Sequence, residues 1–247
     1  MPPARRDDCP WCGSKLLRAR TGAVDECQDC AHVFRNPQRT AEDVLLDQLS
    51  GEHAKGCAPM RRHHRATARA MLRLRPEPES WLDVGTGEAR FPETARDLFP
   101  YTSFDGLDPT SRVLRAHAAE RIEEAYVGNL TDPVVRTLLR ARYDVVSLLH
   151  HLQHAPEPRE EIRAALMVLR RGGHLVIETS NPQSAYATLL GKHWLPQSHP
   201  THAHLTPLAN LRTELESQGC TIVSADRRPR LSPTDLSATY RVIACKT

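Results

Sequence analysis

From residue 81 onward, short apolar stretches alternate with amphipathic ones, and this alternation limits the available folds more than any other feature of the chain. "WLDVG" precedes a helix near 91–98, "SFDGLD" precedes "SRVLRAHAAERI", and "AYVGNL" precedes "PVVRTLLRA". "YDVVSLL" precedes "PREEIRAALMVL", and "HLVIET" precedes a loop and then "LANLRTELESQG". Buried strands joined by helices are βαβ units, so the pattern predicts a mainly parallel sheet with helices on both faces. "TIVSAD" and "ATYRVIAC" follow with no helix between them, which suits an antiparallel pair. The expectation is a Rossmann-like α/β fold with seven strands.

The turn after the first of these strands reads "WLDVGTGEARF". It lies at the carboxyl edge of the sheet, where ligands bind in open α/β folds. Gly85 and Gly87 let the backbone come close to a ligand, and the helix that follows presents unpaired N–H groups and a positive dipole end. Asp83 precedes the first glycine. Asp108, 21 residues after Gly87, ends the second strand, where an acid suits a ribose diol. Ala89 stands where a third glycine is expected.

Upstream, "CPWCG" and "CQDC" place Cys9, Cys12, Cys27 and Cys30 in two C-x-x-C pairs separated by 14 residues. That spacing suits one tetrahedral Zn2+, each pair forming a tight knuckle and the intervening residues a hairpin. Four thiolates fill the metal's shell, so the site is structural. Gly13 follows the first knuckle, and Ala31 stands where the second would carry glycine. The cysteine usage, seven in all, is that of a reducing compartment. With no apolar leader and no apolar run long enough to span a bilayer, a cytoplasmic location is expected. The net charge is only +3 and the arginines are dispersed, which disfavours a nucleic-acid binder. The expected organisation is a zinc ribbon at 1–40, a helical linker or lid at 41–76, containing "TAEDVLLDQL" and "MRRHHRATARAMLRLR", and the α/β domain at 77–247.

The ordered motifs resemble the class I S-adenosylmethionine-dependent methyltransferases. "LDVGTGEARF" is similar to their first motif and "GLDPT" to their second. "YDVVSLLHHLQHAPEPREEIRAALMVLRRGGHLVIETSNP" is similar to their fourth-to-fifth strand region, with "RRGG" as the turn. "GKHWLPQSHPTHAHLTPLANLRTELESQGC" resembles the insert and helix of a subgroup with an N-terminal zinc ribbon, which includes deoxysugar C-methyltransferases and enzymes of specialised metabolism. The resemblance implies that Asp83 sits near the methionine amino group, directly or through water. It also implies that Gly85 and Gly87 line the methionine and ribose, and that Asp108 takes the ribose hydroxyls. Asn129 stands where many members use Asp to meet the adenine amino group, and an amide oxygen can accept the same bond. The resemblance also implies that Leu149 and His150 flank the cofactor.

Thirteen histidines are many for this length, and they cluster in "LLHHLQHAP" and "GKHWLPQSHPTHAHL". Methyl transfer to a hydroxyl, an enol or an acidic carbon gains about 10²–10⁴-fold from a base near neutral pH, and histidine is the natural one. His202 and His204 are the first candidates, then His150 and His151. Hydrogen-bonded structural histidines are the plain alternative for each. A catalytic metal on "HPTHAH" lacks a supporting carboxylate. Tyr186 and Trp194 are expected to wall the acceptor pocket, and Trp11 and Trp81 to pack. The expected acceptor is a small molecule, free or tethered to a carrier protein. The alternatives are the same scaffold running an intramolecular substitution or cyclisation with a histidine base, and a non-catalytic partner subunit.

Overall fold

The computed structural model describes residues 5–38, 58–199, 201–229 and 238–247. The segment "TAEDVLLDQL" therefore lies outside the described residues, as does the first part of the expected lid.

In chain order the elements are β1 (Leu17–Thr21), β2 (Val24–Cys27), β3 (Val33–Arg35), α1 (Ala58–Leu72), β4 (Ser80–Val84), α2 (Arg90–Ala95) and β5 (Ser103–Asp108). Then come α3 (Arg112–Ala118), β6 (Ala125–Val127), α4 (Pro133–Leu138), β7 (Tyr143–Leu149), α5 (Pro158–Val168) and β8 (Leu169–Ser180). After these, α6 (Ala185–Leu190), a 3-10 turn (Gly191–His193), α7 (Leu195–Ser198), β9 (His204–Leu205), α8 (Leu208–Ser217), β10 (Cys220–Pro229) and β11 (Ala238–Lys246) complete the described chain. The seven expected strands form one sheet in the order β10-β11-β8-β7-β4-β5-β6. β4 runs parallel to β5 and β7, and β5 parallel to β6. β10 and β11 are neighbours joined by residues 230–237, a connection too short for a parallel crossover.

The described residues divide into two compact units. One holds residues 58–149, 163–176 and 245–247. Its centre is β4, whose register sets Trp81 beside Phe104 and Val145, and Asp83 beside Gly106 and Ser147. Trp81 is fully buried, with ring centroids of Phe91, Phe99 and Phe104 5.4–5.5 Å away. Its indole N–H donates to Ser147 Oγ at 2.9 Å, which satisfies the one polar atom a buried tryptophan carries. α1 meets α2 through an edge contact of His64 on Phe91. α4 starts at the N-cap Asp132, which accepts from Val134 N at 2.7 Å, with Pro133 in its first turn. The expected "RRGG" turn lies inside β8. Gly172 has φ 73°, and a Cβ at Gly173 would meet Arg170 O at 2.9 Å and Asp144 O at 3.1 Å, so the strand bends there without breaking.

The other unit holds residues 5–38, 150–162, 177–199, 201–229 and 238–244. Its four-stranded antiparallel sheet runs β1-β2-β3-β9. The ribbon hairpin is the one expected. The two-residue β9 is not: Val33 pairs with Leu205 and Phe34 with His204. Val24, Val33, Ala187, Trp194 and Leu205 form a small core under this sheet, with Tyr186 and Leu190 against it. Trp194 is thus packed on the ribbon, contrary to the expected place in an acceptor wall. An indole of that size fills a core that the short ribbon strands cannot close alone. Further ties are Arg20 Nη1 to Gln197 Oε1 at 2.8 Å, Arg35 Nη2 to His199 O at 3.1 Å, and Asn210 Nδ2 to Cys30 O at 2.9 Å.

Candidate functional site

The parallel strands β6, β5, β4 and β7 bring their carboxyl ends to one edge. Asp83, Gly85, Gly87, Asp108, Asn129 and Leu149 all stand at or just beyond those ends. The loop after β4 is built by its backbone. Gly85 N and Thr86 N donate to Leu107 O at 2.8 and 3.2 Å, and Gly87 N donates to Asp108 Oδ2 at 2.9 Å. Gly85 and Gly87 have φ 70° and 55°, the left-handed region that glycine enters without a Cβ penalty. Ala89, the N-cap of α2, has φ 55° and ψ 39° and is fully buried. It keeps the glycine-type turn at a cost of roughly 1–2 kcal/mol.

Two acids frame the loop. Asp83, 4% exposed, accepts from Ser147 Oγ at 2.5 Å, and the Trp81 indole bond to the same hydroxyl turns its proton toward the carboxylate. Asp108, 3% exposed, accepts from Thr110 N and Thr110 Oγ1 on Oδ1 and from Gly87 N on Oδ2. A carboxylate offers about four lone-pair sites. Three are taken, and one on Oδ2 remains for a hydroxyl. Thr86 Oγ1 is buried with no hydrogen-bond partner, and a Cβ built on Gly87 would meet nothing within 4 Å. An orphaned hydroxyl, open space beside a bare backbone and an oriented carboxylate fit an adenosyl group with a polar amino-acid tail. Asn129 is exposed, next to Gly128, whose N–H donates to Asp108 O at 3.0 Å. Leu149 is half-buried.

The candidate histidines lie in the other unit, each held differently. His204 is buried in β9. Its Nε2 is 3.1 Å from Pro156 O and its Nδ1 3.1 Å from His32 Nε2, so Nε2–H donates to the carbonyl and Nδ1 accepts from His32. His202 Nδ1 donates to Pro196 O at 2.7 Å, and its Nε2 accepts from Gln153 Nε2 at 3.2 Å. Gln153 is itself oriented by Thr179 Oγ1, which donates to Oε1 at 2.8 Å. His154 Nδ1 donates to Thr201 O at 3.0 Å and meets the His202 ring edge-on. Burial holds His154 and His204 down at about 4 and His202 at about 3. They are neutral at pH 7, with both ring nitrogens of His202 and His204 engaged by the protein. His150 and His151 are placed otherwise. His151 Nε2 lies 2.9 Å from Glu161 Oε1, and His150 Nε2 lies 3.5 Å from Glu178 Oε1. The Glu161 and Glu178 side chains are 6% and 1% exposed. Neither acid stood out among the candidates, although a carboxylate inside "LVIET" is an unusual core residue.

The four Sγ atoms of Cys9, Cys12, Cys27 and Cys30 lie within 4.8 Å of one another. Cys9–Cys30 and Cys12–Cys27 are 3.7 and 3.6 Å apart. A tetrahedral Zn2+ with bonds of about 2.3 Å sets its sulfurs roughly 3.8 Å apart, so the cluster fits. Both knuckles turn alike. Gly13 N donates to Cys9 O and Ala31 N to Cys27 O, with φ 77° and 55°. The hydrogen bond from Cys30 pulls the Cys9 thiol down to about 5.

The ubiquinone biosynthesis O-methyltransferase of Alkalilimnicola ehrlichii is 31% identical over 126 residues, covering 50% of this chain and 51% of that protein. The chain spans about half the length of the curated relatives it matches. The Burkholderia thailandensis 1,6-didemethyltoxoflavin-N1-methyltransferase, solved with S-adenosylhomocysteine, superposes at TM-score 0.65 and 16% identity over 94% of this chain and 99% of that one. The 4+2 cyclase SpnF superposes at 0.59 and 16% identity over 83% and 92%. At these identities the structures share the fold. No helix among the described residues is long and apolar enough to cross a membrane. Residues 58–225, more than half of the chain, match the methyltransferase domain family, and the chain belongs to that family.

Proposed function

We propose that the protein is an S-adenosylmethionine-dependent methyltransferase acting on a small-molecule acceptor of specialised metabolism, free or carrier-tethered, and that its four cysteines hold a structural Zn2+. The observation that carries the cofactor reading is Asp108. Gly87 N and Thr110 fix its carboxylate, and one acceptor position on Oδ2 is left over. Asp83 would meet the methionine amino group, the Gly85–Gly87 backbone the amino-acid tail, and Asn129 and Leu149 the adenine side. When bound, S-adenosylmethionine supplies an electrophilic methyl on a sulfonium, whose sulfur keeps the bonding pair after transfer. The chain's own work is to hold the acceptor in line, exclude water and take a proton. Among the four candidate bases His150 fits that task best. It follows the last residue of β7 directly and its side chain is 34% exposed. His202 and His204 support the insert, and His151 is held on Glu161.

Calorimetric titration with S-adenosylhomocysteine tests the cofactor reading. Micromolar binding that weakens at least tenfold in Asp108→Asn is expected. A well-folded protein that shows no binding at millimolar concentration would refute methyl transfer and point to the cyclisation chemistry considered above.

A further inference from the structure

We infer that Ser147 is a positioning residue for the amino-acid end of the cofactor, acting through Asp83. The inference rests on the S-adenosylmethionine reading and deepens it. It starts from the register of the sheet. Asp83, near the carboxyl end of β4, is paired with Gly106 on β5 and with Ser147 on β7. Gly106 has no side chain to offer. Ser147 stands between Val146 and Leu148, and all three are fully buried. A hydroxyl among such neighbours is unfavourable unless it is hydrogen-bonded. Ser147 is bonded on both sides: its Oγ donates to Asp83 Oδ1 at 2.5 Å and accepts from Trp81 Nε1 at 2.9 Å.

The direction of this chain of bonds is fixed by its first member. An indole N–H can only donate. The hydroxyl accepts that bond, so its single proton is directed to the Asp83 carboxylate. A charge-assisted bond of this kind favours the ionised acid and restricts its rotation. The indole cannot swing away, because the Phe91, Phe99 and Phe104 ring centroids lie 5.4–5.5 Å from its own. The aromatic core beneath the glycine loop thus reaches the ligand edge through one serine. A carboxylate held ionised and in one orientation attracts an ammonium without first having to be ordered. The adenosyl half of the cofactor falls to a separate acid, Asp108, which Thr110 and Gly87 orient. The two halves of the ligand are therefore read by two acids with separate supports, and Ser147 serves the amino-acid half.

The test titrates the full chain calorimetrically with two probes, S-adenosylhomocysteine and 5′-methylthioadenosine, which keeps the nucleoside and the thioether but lacks the amino-acid tail. The wild type is expected to prefer S-adenosylhomocysteine. In Ser147→Ala its affinity should fall about tenfold, about 1.4 kcal/mol, near the lower end for a lost charge-assisted bond, while 5′-methylthioadenosine stays within about twofold. A merely structural serine would move both ligands together or neither. In an Asp83→Asn background, Ser147→Ala should change S-adenosylhomocysteine affinity by less than about threefold, because the effect passes through the carboxylate. An equal loss on both ligands, no loss on S-adenosylhomocysteine, or the full tenfold loss in the Asp83→Asn background overturns the inference. Should Ser147→Ala fail to fold, Asp83→Asn alone decides: an unchanged preference for S-adenosylhomocysteine over 5′-methylthioadenosine overturns the inference, and a selective loss of that preference supports it. A well-folded wild type that binds neither probe defeats the S-adenosylmethionine reading instead, so the two failures are distinguishable.

Discussion

Gly106→Ala probes whether the packing of β5 controls the glycine loop. A Cβ at Gly106 would stand 2.8 Å from Ile122 Cδ1, 2.8 Å from Thr86 Cγ2 and 3.2 Å from Val113 Cγ2. Carbon atoms prefer about 3.5–4.0 Å, so two contacts are short by roughly 0.7 Å or more. The three neighbours are 3%, 9% and 0% exposed and have no route to solvent. The backbone cannot give way either, because Gly106 is paired with Asp83 on one side and Ala125 on the other. Overpacking of this kind costs about 1–3 kcal/mol, offset by roughly 0.5–1 kcal/mol from replacing a strand glycine. A net loss of about 1–2 kcal/mol is expected, out of a typical total of about 5–15 kcal/mol. Thr86 lies between Gly85 and Gly87, so the displaced methyl also strains the loop, and S-adenosylhomocysteine affinity should fall about tenfold. Urea unfolding at constant slope gives the first number and calorimetry the second. Gly22→Ala is the control. Its Cβ meets nothing within 4 Å, and its stability should change by less than about 0.5 kcal/mol. A Gly106→Ala protein with unchanged urea midpoint and unchanged affinity would refute the packing argument.

Other perturbations separate the remaining parts of the account. Below pH about 6.5 the unfolded chain binds protons that buried His154, His202 and His204 refuse until about pH 4 or lower. Stability should be full above that pH and drain away as pH falls toward about 4, with His204 alone contributing on the order of 3 kcal/mol. A flat urea midpoint from pH 7 to 4.5 would contradict this. Chelation of Zn2+ should loosen the insert as well as the ribbon, because Trp194 packs on Val24 and Val33. A red shift of tryptophan emission and faster amide exchange across 185–205 are expected, and an unchanged spectrum after complete metal removal would argue against the site. Ala89→Gly relieves the left-handed strain but loses a buried methyl worth about 0.8 kcal/mol and gains unfolded-state freedom. Its urea midpoint should stay within about 1 kcal/mol of wild type, and a loss above 2 kcal/mol would show that the turn is not strained.

The seven-stranded sheet was legible because short, nearly continuous apolar strands such as β4 and β7 alternate with amphipathic helices, and the glycine loop because an acid-flanked glycine turn after a buried strand has few other uses. β9 was not legible, since two residues carry no period and their pairing partner lies far away in sequence, at Val33 and Phe34. Trp194 was misplaced for a related reason. A tryptophan in a loop looks like a ligand wall until the undersized ribbon core that needs it is seen. The histidine types were readable, but their ring environments were not. Whether a ring nitrogen meets a carbonyl, as in His202, or a buried acid, as in His150, is decided by tertiary packing.

The most direct measurement is a crystal structure grown with S-adenosylhomocysteine. The account predicts a ribose hydroxyl on Asp108 Oδ2 and the amino-acid tail against the Gly85–Gly87 backbone with its amino group toward Asp83. A nucleoside bound elsewhere, or side chains filling the space beside Gly87 while Asp108 keeps only its protein partners, would contradict it.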